Sequence, residues 1–307
     1  MKIAIIGAGA MGSLFGGLLT LAGEEVWLLD ICDDQIHTIR EKGVVICSEN
    51  GDLNARPNAT TKPQDVGLVD LIIIFVKSIA TSVVAKTALG LLTPDTMVLT
   101  LQNGYGNAEK LADVLGTERI IVGTTAQGAT LLSHGRIMHG GAGDTHIGNL
   151  SGDVSPRLYQ LAATLSKAGI LTMVNKNVTS LIWGKLVINV GINALTGITG
   201  LENGQLASYA ETNELLEKAV LEAVHVAQSL GVCLPYDEPV AQVLAVAKAT
   251  AKNKSSMLQD LSKHRLTEID DINGAIVREG AKIGIDTSTN YILTLLVKAL
   301  EKINYEK

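Results

Sequence analysis

Aromatic side chains are scarce, making up 3% of the 307 residues. A surface that stacks on bases needs a row of them, so a single-stranded nucleic-acid platform is disfavoured. There are three cysteines, Cys32, Cys47 and Cys233. The number is odd and no C-x-x-C spacing occurs, which leaves no basis for a disulfide framework or a zinc site. The six histidines, His37, His134, His139, His146, His225 and His264, fall in no ligand pattern, and no metal is expected. A G-x-S-x-G nucleophile motif is also missing. Net charge is −6, without a basic stripe, which argues against nucleic acid and against an anionic membrane surface as partners. No uncharged apolar run reaches about 18 residues, so no membrane span is expected. No basic segment with a cleavage site precedes the first apolar run, so no signal peptide is expected and the cytoplasm is the default location.

What is present is apolar residue, 47% of the chain, enough to build a sizeable core. The length is natural for two domains. The first twelve residues, MKIAIIGAGAMG, organise the rest. Lys2–Ile6 reads as a short buried strand with β-branched Ile3, Ile5 and Ile6. Gly7-Ala8-Gly9-Ala10-Met11-Gly12 is a G-x-G-x-x-G turn, and an apolar helix over Ser13–Ala22 follows. In this motif Gly7 makes the tight turn, Gly9 lets backbone approach a pyrophosphate, and Gly12 lets the helix pack closely on the strand. The N–H groups at the helix start and the positive end of its dipole hold phosphates. The second strand, Glu25–Leu29, ends in Asp30, an acid placed to bond a ribose 2′-hydroxyl. Dinucleotide binding is the reading; a glycine turn in another α/β fold is the alternative.

Further strands are expected at Leu68–Val76, Thr96–Leu101, Ile120–Thr125 and Leu171–Val174, with helices at Asp33–Lys42, Val83–Leu92, Ala108–Leu115 and Pro156–Ala168. Val44–Cys47 and Leu53–Arg56 suit a small hairpin around Asn50-Gly51. Arg136–His139 and Thr145–Gly148 look like strands joined by the glycine-rich Gly140–Gly143. This alternation predicts a doubly wound parallel sheet of the Rossmann type, with ligands outside the carboxyl ends of its strands, where Lys77, Asn103 and Gly123–Ala129 fall. From about Asn177 only helical periodicity remains: Val178–Ile198, Glu211–Leu230, Glu238–Ala251, Leu266–Ile283 and Asn290–Ile303. The reading is therefore an α/β dinucleotide-binding domain over residues 1–175 and an all-helical substrate domain over 176–307, touching and sharing a cleft.

Three constellations in the second half could carry chemistry. Lys185, Asn189 and Asn193 are spaced i, i+4, i+8 and line one face of an otherwise apolar helix. They form either a solvent-facing stripe or a cleft wall; partial burial would lower the lysine pKa and make it a better acid. Ser255-Ser256-Met257-Leu258-Gln259-Asp260 is either a serine-capped helix start or a site whose hydroxyls and N–H groups hold a carboxylate. Glu268, read on a helix through 266–283, falls on the same face as Ile272, Ala275 and Ile276. A carboxylate there needs a partner, as an ion pair, a cap or a functional group.

Taken together, GAGAMG, Val76-Lys77, Gln102-Asn103-Gly104, Gly184-Lys185 with Asn189 and Asn193, SSMLQD and TEIDDING make the chain resemble the ketopantoate reductase family along essentially its whole length. The resemblance implies a Rossmann domain and a helical domain with the active site between them. It implies reduction of the keto group of ketopantoate to pantoate by a nicotinamide cofactor, on the route to pantothenate and coenzyme A. It further implies Lys185 as proton donor and Asn103 between cofactor and substrate. Asn189, Asn193, Asn203 and Ser256 would then bind substrate with Lys185 and Asn103. Gly7, Ala8, Gly9, Ala10, Met11, Gly12, Asp30, Lys77, Asn103, Ala129 and Glu268 would face the cofactor. A small 2-keto acid is the partner this implies, with a homodimer as the assembly state left open.

One departure bears on the cofactor. The family commonly carries an arginine just after the second strand, against the 2′-phosphate of NADPH. Here Asp30-Ile31 stands at that place, and a carboxylate repels a phosphate but suits a free hydroxyl. NADH is therefore expected, against the family habit of NADPH. Two other functions fit parts of the pattern: an NAD-dependent D-2-hydroxyacid dehydrogenase of mandelate type, and a non-catalytic nucleotide-binding redox sensor. The second has no use for Lys185 and its two amides.

Overall fold

In the computed structural model, which describes residues 1–49 and 51–305, the chain divides into two compact units. Unit 1 comprises residues 1–102 and 107–178; unit 2 comprises residues 103–106 and 179–307. The short segment Asn103–Gly106 thus goes with the second unit, although in sequence it follows a strand of the first.

Unit 1 runs β1 (Lys2–Ile6), α1 (Ala10–Leu21), β2 (Glu25–Leu29), α2 (Asp33–Lys42), β3 (Val44–Cys47), β4 (Leu53–Ala55), β5 (Asn58–Thr60), β6 (Val69–Ile74), α3 (Thr81–Ala88), β7 (Leu92–Thr100), α4 (Asn107–Leu115), β8 (Ile120–Thr125), β9 (Gly128–Ser133), β10 (Arg136–Gly141), β11 (Thr145–Asn149), α5 (Pro156–Lys167) and β12 (Thr172–Val174). Eight strands form one sheet in the order β12-β11-β8-β7-β6-β1-β2-β5. Strands β5 to β8 in that row are parallel, while β11 runs antiparallel to β8. The doubly wound architecture expected from the sequence is present. β1 lies between β6 and β2, so the crossovers diverge at its carboxyl end and open a crevice there.

A second, four-stranded sheet, β4-β3-β10-β9, was not legible in the sequence. It separates two strands read there as neighbours: β10 pairs with β3 and β9, whereas β11 joins the large sheet. Gly123–Ala129, read as one segment past a strand end, is likewise divided. Gly123 sits inside β8 opposite Ile147, and Ala129 lies on β9 opposite His139. The antiparallel pair β3–β4 is formed as expected, but Asn50 of its turn lies outside the described residues. Helix α1 explains the second sheet. A Cβ on Gly16 would meet Leu28 of the large sheet at 2.7 Å, and one on Gly17 would meet Ile46 of the small sheet at 2.8 Å. The helix is sandwiched between two sheets, which is why it is apolar nearly all round.

Unit 2 holds α6 (Val178–Thr199, counted from Thr179), α7 (Ala210–Ser229), α8 (Pro239–Ala249), α9 (Ser256–Ser262), α10 (Asn273–Ile283) and α11 (Ser288–Tyr305). Among the described residues it contains no strand. Its core gathers around α6, with Trp183, Leu186, Val187, Val190 and Leu195 buried. At Gly191 a Cβ would meet Val220 of α7 and Val243 of α8, both at 2.8 Å, so three helices converge on one missing methyl. By length and composition α6 could cross a membrane, which the expectation of no span did not anticipate; most of it is buried inside the fold. The charge of Lys185 interrupts its apolar run.

The expected helix over 266–283 is broken. Thr267 Oγ1 accepts the N–H of Ile269 at 3.2 Å, while Thr267 donates its own N–H and hydroxyl to Glu301 at 2.7 and 2.6 Å. A 3₁₀ turn follows over Ile269–Asp271, Ile272 adopts φ −108°, ψ −95°, and α10 begins only at Asn273. Side-chain capture of local backbone has outcompeted the helix. Glu268 therefore does not share a helical face with Ile272, Ala275 and Ile276; it stands half-buried at a turn.

Candidate functional site

In unit 1 the glycine loop has the geometry its spacing implies. Gly7 has φ +103°, and a Cβ there would stand 2.7 Å from the N of Val76. On Gly12 a Cβ would lie 1.8 Å from the Gly7 carbonyl oxygen, while at Gly9 it would meet nothing within 4 Å. Gly9 thus faces open space at the N-terminus of α1, which no side chain caps. That is an arrangement for an anion.

Asp30 closes the loop from the end of β2. Its Oδ2 accepts the N–H of Ala8 at 2.6 Å, and its Oδ1 accepts the N–H of Cys32 at 3.0 Å. A carboxylate has lone pairs left for a ribose hydroxyl after two such bonds. Beside it opens a cavity of about 550 Å³ lined by Asp30, Ile31, Val76, Ile79 and Val83, among others. Asp30 is the one charged residue in its lining among the described residues, and Ile31 is 96% exposed.

Two sequence motifs meet at the rim. Gln102 donates through Nε2 to the Val76 carbonyl at 2.7 Å and to Thr81 Oγ1 at 2.9 Å. This holds the turn in which Val76 is followed by half-buried Lys77. Ala129 is half-buried on β9 and packs against the unit 1 core.

In unit 2, Lys185, Asn189 and Asn193 lie on α6; the first two are half-buried and Asn193 is buried. Burial strips water from the Lys185 ammonium and lowers its pKa below the usual lysine value. The Glu268 carboxylate acts in the opposite sense, and burial wins. Asn103 donates through Nδ2 to Glu268 Oε2 at 3.4 Å. The segment carrying it is docked on this unit: Tyr105 donates its N–H to the Asp271 carbonyl at 2.7 Å, and Arg278 donates to the Tyr105 carbonyl at 3.1 Å. Gly104, at φ +86°, passes so close that a Cβ would lie 2.3 Å from the Asp271 oxygen. Lys185, Glu268 and Asn103, 165 residues apart at the extremes of the Asn103–Glu268 pair, thus share one neighbourhood.

A second polar group lies further along α6. Thr196, three residues past Asn193, donates to Ser255 Oγ at 2.7 Å, and Ser255 Oγ caps α9 by accepting the Leu258 N–H at 3.1 Å. Ser256 follows, exposed at the first turn. Asn203 donates its backbone N–H to the Asn253 carbonyl at 3.0 Å and its amide to Thr250 Oγ1 at 2.9 Å. Its Oδ1 is buried without a hydrogen-bond partner within the protein. Together the unit offers an ammonium, several amides and hydroxyls: enough to orient a small oxyacid and give its carbonyl oxygen a proton. Among the described residues, no three His, Cys, Asp or Glu side chains are grouped to hold a metal.

Sequence reasoning missed Gln35, Gln102 as a structural tie, and the Asp271–Arg278 clasp on the 103–106 segment. For Gln35 a signal existed: it sits beside Ile36 and one turn before Ile39 on the buried side of α2.

Comparison with known proteins places these sites in context. Residues 3–152 match the family model described as Ketopantoate reductase PanE/ApbA, and residues 177–301 match its C-terminal counterpart. A 2-dehydropantoate 2-reductase of Halobacterium salinarum is 36% identical over 303 residues, covering 98% of this chain and 99% of that protein. One from Archaeoglobus fulgidus is 34% identical, with 98% of each covered. The crystal structure of a PanE/ApbA family ketopantoate reductase from Ralstonia eutropha superposes with TM-score 0.93 at 31% identity, covering 99% of this chain and 100% of that one. The ternary structure of D-mandelate dehydrogenase with NADH and anilino(oxo)acetate gives TM-score 0.92 at 32% identity, with the same coverage.

Proposed function

This chain belongs to the ketopantoate reductase family, and from that premise we propose how its residues divide the work of a 2-dehydropantoate 2-reductase. It is an oxidoreductase that uses a nicotinamide cofactor on a small 2-keto acid. The fit of the cofactor rests on the uncapped α1 N-terminus, the open face of Gly9 and the carboxylate of Asp30. The bound cofactor supplies the hydride. Gly7–Gly12 hold its pyrophosphate, Asp30 its ribose, and Lys77 and Ala129 face it from the β6 and β9 ends.

Lys185 carries the chemistry on the protein side. Its ammonium steadies the charge that builds on the keto oxygen and then delivers the proton. A lysine in water is a poor acid near neutrality; lowering its pKa by burial makes proton transfer easier, while the Glu268 carboxylate opposes that fall. That lowered, carboxylate-tempered lysine on the amide-bearing face of α6 is the observation carrying the assignment. Asn103, Asn189, Asn193, Asn203 and Ser256 orient the substrate.

The cofactor is NADH on this reading. Asp30 is the charged residue lining the cavity beside the loop, and exposed Ile31 stands where a cation would meet a 2′-phosphate. These same two residues favour a second substrate reading, a mandelate-type dehydrogenase, because a D-mandelate dehydrogenase of matching fold is known with NADH. Steady-state kinetics with NADH and NADPH, each against ketopantoate and a panel of bulky 2-keto acids, tests both. Ketopantoate with NADH should give the highest kcat/KM. A higher value for an aryl keto acid transfers the assignment to the second reading, and no turnover with any 2-keto acid refutes both.

A further inference from the structure

We propose that Gln35, in α2 and outside every motif above, is a positioning residue for the nucleotide loop: it holds the Ala8 carbonyl inward so that the Gly9 N–H faces the pyrophosphate. This rests on the cofactor reading and adds a residue to it.

Gln35 is 3% exposed. Its Nε2 donates to the Ala8 carbonyl oxygen at 2.7 Å and lies 3.3 Å from Ser13 Oγ. Its Oε1 accepts the Gly135 N–H at 3.0 Å and faces His134 Nδ1 at 3.3 Å. A backbone N–H can only donate, so the amide oxygen must point to Gly135 and the nitrogen to Ala8. The β9–β10 connection therefore sets the orientation of Gln35, and Gln35 sets that of Ala8. Ser13 Oγ adds a second donor to the same carbonyl at 3.0 Å.

Peptide planarity carries the effect outward. In a trans peptide the carbonyl and the following N–H point in opposite directions. With the Ala8 carbonyl drawn in toward Gln35, the Gly9 N–H is turned away from Gln35, at a residue where even a Cβ would meet nothing within 4 Å. The preceding peptide is held in the opposite sense. Asp30 takes the Ala8 N–H, which turns the Gly7 carbonyl toward Gly12. Two successive peptides are thus locked by Asp30, just past β2, and by side chains from α1 and α2 before any nucleotide arrives. The loop is pre-organised, and a dinucleotide need not order it on binding.

The test uses the full-length enzyme, with NADH and ADP-ribose as probes; the latter carries the pyrophosphate without the nicotinamide. Gln35→Met should raise the Kd of both at least fivefold. The kcat at saturating NADH and the KM for the keto acid should stay within twofold of wild type. Ser13→Ala, which removes the weaker of the two donors, should give a smaller rise in the same constants. If Gln35→Met does not fold, Gln35→Glu keeps the acceptor for Gly135, loses the donor to Ala8, and should show the same pattern. A Kd within twofold of wild type in the folded variant, or a loss spread equally over kcat and the keto acid KM, overturns the proposal. Wild-type protein that binds neither probe refutes the cofactor reading itself.

Discussion

Replacing Ile31 with arginine should admit NADPH. The side chain is 96% exposed, so its replacement costs the fold little. It leaves Asp30 and its bonds to Ala8 and Cys32 intact. In the wild type, a 2′-phosphate brought to about 5 Å from the Asp30 carboxylate meets a repulsion of about 3 kcal/mol per unit charge at an effective dielectric of about 20. A new guanidinium can form a charge-assisted bond with that phosphate, worth about 1.5 kcal/mol at an exposed site. The kcat/KM for NADPH should rise about tenfold. With NADH, which has a hydroxyl there, it should change less than threefold. The advantage should shrink as salt is raised to about 0.5 M, because exposed charges are screened. Initial rates of cofactor oxidation at 340 nm, with both cofactors and both proteins, give all four constants. A wild-type preference for NADPH, or an arginine variant that gains nothing with it, refutes the argument.

The other expectations concern the loop and the lysine. Gly9→Ala should melt within a degree or two of wild type, since its Cβ enters open space, yet bind NADH at least tenfold more weakly, as judged by calorimetry. Gly12→Ala, whose Cβ would sit 1.8 Å from a carbonyl oxygen, should instead lower the melting temperature steeply. Lys185→Ala should reduce kcat by about 10²–10⁴-fold with the NADH Kd unchanged in fluorescence titration; retention of more than a tenth of the rate would remove the lysine from its role. The donor must be protonated to act, so the rate of keto acid reduction is full below the Lys185 pKa and falls as pH rises through it. Burial sets that fall below the ordinary lysine range, and Glu268→Gln removes the group that opposes burial. The alkaline limb of kcat/KM should move to lower pH in that variant, and a shift upward would contradict the electrostatics.

Much of this was readable from residue order alone. The glycine loop, Asp30 and the first parallel strands follow from short-range rules: apolar runs, turn residues and spacing. So does the shared helical face of Lys185, Asn189 and Asn193. What stayed hidden depends on partners distant in the chain. The second sheet needs β3 to find β10 across about ninety residues, and no local pattern announces that pairing. The break before α10 came from Thr267 bonding to Ile269 and Glu301, against a periodicity that looked helical. By sequence pattern Asn103 ends a strand of the first domain, but the backbone of nearby Tyr105 is held by Asp271 and Arg278.

That last placement has a bearing on modularity. Because Asn103–Gly106 belongs with unit 2 while the chain on either side belongs with unit 1, severing the polypeptide after Val178 does not yield two self-sufficient halves. The amino-terminal fragment would carry four orphaned residues, and the carboxyl-terminal fragment would lose the Tyr105 backbone partners of Asp271 and Arg278. Grafting this helical unit onto a different nucleotide-binding partner therefore means transplanting a discontinuous piece, loop included.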